Sequence, residues 1–171
     1  MSKVITFSRV FPKYHPKAGQ PTYFVEKILA GLADSQPLWK MPNHFTEYDW
    51  HMYYNCAKAK VHTIRNGNRW KVGDKFSPRI WSDKPYKSKQ IIFSTDIQIK
   101  KVFSFSKDLI SEHFYLNGIE THPDDLMEIA KNDGLELSDL LLWFQYPKPF
   151  NGQIICWSED VSYLNNLNKA I

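Results

Sequence analysis

The chain has little cysteine, little glycine and no long apolar run, and each shortage excludes something. Its two cysteines, Cys56 and Cys156, stand far apart and neither belongs to a CxxC pair. They read as two buried free thiols, which excludes a disulfide scaffold and favours a reducing cytoplasm. The seven glycines form no phosphate-cradling or dinucleotide fingerprint, so no nucleotide cofactor is expected. The start, Met1 to Phe7, lacks the long apolar stretch of a signal peptide, and no run approaches a membrane span. No internal repeat or low-complexity tract is present. His15, His44, His51, His62, His113 and His122 show no metal-ligand spacing, so no metal is expected.

What remains is an ordinary globular composition of 171 residues, enough for one domain with a real core. The net charge is only +4, but its distribution is uneven. From Lys58 to Lys107 stand thirteen basic residues, opposed only by Asp74, Asp83 and Asp96. From Asp108 to Asp139 the balance reverses, with nine acids against Lys131 alone. Such blocks make a basic face suited to an anionic partner, or a mixed solvated surface whose halves neutralise each other.

Pattern reading gives an α+β order. Val4 to Ser8 reads as a strand, followed by a turn-rich loop. Thr22 caps a helix to about Leu32, with Phe24, Ile28, Leu29 and Leu32 on one face. Thr46 and Asp49 have capping-box-like spacing ahead of Trp50, Tyr53, Tyr54 and Ala57, which reads as a short helix. Val61 to Arg65 is a strand, and Asn66-Gly67-Asn68 is a turn. Val72-Gly73-Asp74 turns into a strand from Lys75 to Trp81. Gln90 to Ser94 and Ile97 to Ser106 read as strands, the second with a bulge at Lys100-Lys101. Glu112 to Leu116 is a further strand. Pro123 opens a helix that stops at Asn132-Asp133-Gly134. Ser138 opens another helix, and Gly152 to Trp157 is a closing strand. Short strands with helices at intervals predict a curled or barrel-like mixed sheet with flanking helices.

Lys60-x-x-Thr63-Ile64-Arg65, followed by Trp70-Lys-Val-Gly73-Asp74-Lys, resembles the signature of the ASCH family within the PUA-like superfamily. The helix Phe24 to Gly31 is similar to the one that precedes that lysine in the family. Here some 28 residues intervene, so the chain carries an insertion at about 33–59. The resemblance spans about residues 3 to 158 and implies a PUA-like mixed barrel. Within the family it is distantly similar to small bacterial acetylcytidine amidohydrolases. That likeness implies Lys60 as base, Thr63 as nucleophile and Asp133 as proton shuttle or orienting group. Asp133 aligns with a glutamate of those enzymes, so its carboxylate reaches one methylene less far. Each residue also has a plainer reading: Thr63 as a β-branched strand residue, Lys60 as an anion binder, Asp133 as a helix end beside Gly134.

PUA-like domains, by the same resemblance, bind RNA or modified nucleosides in a cleft of basic and aromatic residues. Arg65, Arg69, Arg79, Trp81, Lys84, Tyr86, Lys87 and Lys89 interleave these types. Cations hold phosphates and an aromatic face stacks on an unpaired base. Trp70 and Trp81, each taken singly, read first as core residues, whereas Tyr86, in a Pro-Tyr loop, does not. The alternative is a protein-interaction module, phage-borne in one version, with the barrel as scaffold and the insertion presenting Trp50, Tyr53 and Tyr54 to a partner.

Overall fold

The computed structural model describes residues 2–32, 59–110, 113–145 and 149–163. The insertion at 33–59 falls outside them save for its last residue. So do its expected short helix, the protein-partner surface assigned to it, Cys56, and the expected strand start at Glu112. The described residues form a mixed α+β fold of two sheets and three helices. The chain divides into two compact units. The first contains residues 1–60 and 74–98, the second 61–73 and 99–171.

In the first unit, β1 (Lys3–Thr6) pairs in parallel with β3 (Lys75–Trp81). A parallel pair needs a crossover, and helix α1 (Phe24–Leu32) lies in the connection. β3 also pairs antiparallel with β4 (Gln90–Ile92) and β5 (Ile97–Gln98). Alternation along β3 turns Phe76, Pro78 and Ile80 inward and leaves Ser77, Arg79 and Trp81 on the other face. Phe7 packs on Phe76 and edge-on against Phe93, at 6.3 and 5.9 Å between ring centroids. Buried Phe24, Ile28 and Leu29 give α1 its apolar stripe. Thr22 Oγ1 accepts from Phe24 N at 3.4 Å, as the capping reading expects.

In the second unit the strand order is β2 (His62–Asn66), β9 (Phe150–Cys156), β6 (Lys101–Lys107), β7 (Phe114–Leu116), β8 (Ile119–Glu120). All of these pairings are antiparallel. The core gathers Phe105, Phe114, Ile129, Leu140, Ile154 and Ile155. Helix α2 (Pro123–Asn132) begins at the expected proline, with His122 as N-cap. It ends on Asp133 and a left-handed Gly134 at φ +73°. Helix α3 (Leu137–Trp143) follows.

Two expectations are corrected. Among the described residues the strands do not close into a barrel. The first sheet ends on β1 and β4, and the second on β2 and β8. The expected strand from Ile97 to Ser106 is two strands. Ile97–Gln98 completes the first sheet, and Lys101–Lys107 runs beside β9 in the second. The lapse in alternation at Lys100-Lys101 is therefore a change of sheet and not a bulge. No helix among the described residues is long and apolar enough to cross a membrane.

Candidate nucleic-acid interface

Six of the eight residues expected to contact nucleic acid lie in the first unit, on one strand and the loop after it. Arg79 and Trp81 share the outward face of β3. Lys84, Tyr86, Lys87 and Lys89 belong to the loop joining β3 to β4, and all four are exposed. The loop is tied internally. Ser82 N donates to Lys89 O at 2.9 Å and Lys87 N to Lys84 O at 3.1 Å. The Ser88 hydroxyl donates to Lys84 O at 2.9 Å and accepts from Asp83 N at 3.0 Å. These bonds satisfy the turn's backbone and leave its lysine side chains outward.

Tyr86 stands at the tip. It is 87% exposed, yet its ring centroid lies 5.3 Å from that of Trp81, at 49° between planes. Its backbone sits at φ +62°, a left-handed conformation that a bulky residue rarely adopts and that costs about 1 kcal/mol or more. Trp81 is half-buried and not a core residue. Arg79 is held on the same face by two hydrogen bonds. Its Nε donates to Ser77 Oγ at 3.2 Å and its Nη1 to Gln90 Oε1 at 3.1 Å. Both acceptors are neutral, so the guanidinium keeps its charge available to an anion.

Arg65 and Arg69 belong to the second unit. Arg65 is half-buried on β2, opposite Gln153. Arg69 is exposed, with its guanidinium 5.0 Å from the Trp70 ring centre. Trp70 is a core residue. The Gln153 amide brackets its backbone, accepting from Trp70 N at 3.0 Å and donating to Trp70 O at 3.1 Å.

The three residues implied for hydrolysis are all buried: Lys60 is 1% exposed, Thr63 4% and Asp133 7%. Lys60 ends the first unit, with its Nζ 4.3 Å from the centre of the Phe24 ring, an aromatic face that attracts a cation. Thr63 and Asp133 belong to the second unit. Register places Thr63 beside Ile155 and Val102 on one face of the sheet. His62, Cys156 and Lys101 form the row on the opposite face. Asp133 approaches that second row, its Oδ1 3.7 Å from His62 Nε2.

Sequence reading passed over His62 as a residue of this cluster. It is fully buried, with Nδ1 2.6 Å from the Tyr163 hydroxyl. That hydroxyl also accepts from Asn132 Nδ2 at 3.4 Å. Tyr163 is held well above its ordinary titration range, first by burial and then by the neighbouring Cys156 thiol. Burial also pushes the Cys156 thiol up to about 12, with Asp133 adding to the effect and the Lys101 ammonium opposing it. A thiol kept protonated is a poor nucleophile. Strand alternation could have put His62 and Cys156 on one face only if the pairing of β2 with β9 were known beforehand. Among the described residues no group of three or more His, Cys, Asp or Glu is placed to hold a metal ion. No family model, no curated protein and no solved structure matches this chain.

Proposed function

We propose that this protein is a PUA-like, ASCH-type domain that binds RNA, or a modified nucleoside from it, through the β3–β4 hairpin. The observation that carries the reading is Tyr86, exposed in a left-handed backbone beside Trp81, on a strand and loop that also carry Arg79, Lys84, Lys87 and Lys89. An aromatic side chain held out in solvent forgoes burial worth about 1.5–3 kcal/mol. A base stacking on it recovers about 1–3 kcal/mol. The cations around it suit the phosphates on either side of that base. The reading is of binding rather than turnover, because Thr63, which amide hydrolysis would present to substrate, is buried. A cytoplasmic place in the cell goes with it, and the free, buried Cys156 thiol suits a reducing compartment.

Titration of a labelled single-stranded RNA at several salt concentrations tests the proposal. Affinity is expected to fall steeply as salt rises. The Tyr86→Ala variant is expected to bind roughly 5- to 160-fold more weakly, the loss of one stacked base. Binding indifferent to salt, or none to any single strand, would overturn it.

A further inference from the structure

The parallel pairing of β1 with β3 decides where the two strands leave the first sheet. Thr6 lies opposite Arg79, and Phe7 N donates to Arg79 O at 2.8 Å. Both strands run the same way, so both leave at the same end. β3 leaves into the hairpin loop Ser82 to Lys89. β1 leaves into the loop Ser8 to Pro21. No Asp or Glu occurs between Met1 and Val25, while Arg9, Lys13 and Lys17 stand in that loop.

The loop is built as a fixed platform. Val10 bridges to Pro21, and Phe11 N donates to Gln20 O at 2.9 Å. Thr22 N donates to Arg9 O at 3.0 Å, and the Thr22 hydroxyl to Ser8 O at 2.7 Å. Phe11 and His15 are buried and stacked, with centroids 4.6 Å apart and planes 30° apart. With these rings anchoring the loop, Arg9, Lys13 and Tyr14 are left exposed. Lys17 Nζ lies 5.6 Å from the centre of the Phe11 ring. A second basic and aromatic loop thus stands at the end of the sheet that carries the Tyr86 hairpin.

We infer that the Ser8–Pro21 loop is the second half of the binding site. It holds phosphates that flank the base stacked at Tyr86, and the ligand is a single-stranded stretch of RNA several nucleotides long. A free nucleoside carries no phosphate for Arg9, Lys13 or Lys17 to meet. A duplex keeps its bases stacked inside and offers none to Tyr86. The inference rests on the binding reading above and narrows it.

The test compares a single-stranded RNA of roughly 12 nucleotides, within the range one small domain covers, with a duplex of the same sequence and with a free nucleoside. The proteins are the full chain, the variant carrying Arg9→Gln, Lys13→Gln and Lys17→Gln, and Tyr86→Ala. The triple variant is expected to bind the single strand about tenfold more weakly, with its salt slope smaller by about 2, since each lost phosphate contact removes roughly 0.7. Its affinity for the nucleoside, which has no phosphate, is expected to stay unchanged. Full affinity of the triple variant for the single strand, while Tyr86→Ala loses it, overturns this inference and leaves the hairpin reading standing. So does tighter binding of the duplex. Failure of the unaltered protein to bind any of the three ligands overturns both. If circular dichroism shows the triple variant unfolded, Lys13→Gln alone carries the test, with an expected slope reduction of about 0.7 and an unchanged slope as the contrary result.

Discussion

Tyr163 and His62 stand 101 positions apart in sequence, yet the tyrosine hydroxyl lies 2.6 Å from the imidazole Nδ1 with both residues buried. This contact fixes the segment after β9 against the first strand of its sheet. Tyr163→Phe removes the hydroxyl and leaves a buried imidazole nitrogen without that partner. The loss of one buried hydrogen bond costs about 0.5–1.5 kcal/mol. The urea midpoint is expected to fall accordingly while RNA affinity holds. An unchanged midpoint would show that the contact contributes nothing.

Alkaline stability should follow from the same cluster. Folding keeps two acids protonated, Cys156 and Tyr163, whose ordinary values are 9.0 and 10.0. Below those values both the folded and unfolded chains hold the protons, and pH has no leverage through these groups. Above them the unfolded chain releases protons that the folded chain retains, so stability falls as pH rises. The urea midpoint is expected to decline from about pH 9 upward. Cys156→Ala should flatten the onset of that decline, whatever it does to the midpoint at neutral pH. An equally steep onset in the variant would contradict the assignment.

Cys156 should also resist chemistry. In a Cys56→Ser background, an aromatic disulfide reagent is expected to label the native protein far more slowly than the urea-unfolded chain. Equal rates would mean that the thiol is neither buried nor held protonated.

Tyr86 separates stability from function. Replacing it with glycine removes the left-handed strain and the exposed ring together. The Tyr86→Gly protein is expected to be as stable as the original or up to about 1 kcal/mol more so, and to lose the stacking component of binding. Tyr86→Val keeps the strained backbone with a β-branched side chain and should be the less stable of the two. Thermal unfolding of the pair, read beside their RNA affinities, checks both halves.

Gly152 is required by close packing rather than by an unusual backbone. A Cβ there would press on the Arg65 carbonyl and the Phe150 ring. Backbone cannot give way as a flexible side chain can, so Gly152→Ala is expected to destabilise by at least about 1–3 kcal/mol. Recovery of a soluble Gly152→Ala protein with an unchanged unfolding midpoint would refute this.

Local signals in the sequence were largely legible. Pro123 and Asp133-Gly134 bracket α2 because proline fits a first turn and glycine accepts the left-handed cap. Thr22 marks the entry to α1 for a similarly local reason. Sheet membership was not legible, because it depends on partners distant in sequence. Nothing near Ile99 or Lys100 announces that Gln98 pairs with Lys75 while Lys101 pairs opposite Cys156. The candidate site divides in the same way. The loop character of Tyr86 follows from its neighbours in sequence, whereas the placement of Arg9 and Lys13 at the same end of the sheet needed the direction of β1 relative to β3. Asp133 is legible as a helix end beside Gly134, whereas its approach to His62 depends on residues distant in sequence.

The hydrogen bond from Lys60 N to Lys27 O, at 2.9 Å, brings the chain back to the helix it leaves at Leu32. Leu32, which ends α1, and Lys60, which bonds to it, thus meet at one short helix. Closing a loop costs only about 0.6 kcal/mol more for each doubling of its length. At so small a cost, a change in the number of residues between Leu32 and Ala59 is expected to leave the register of β1 with β3 unaltered.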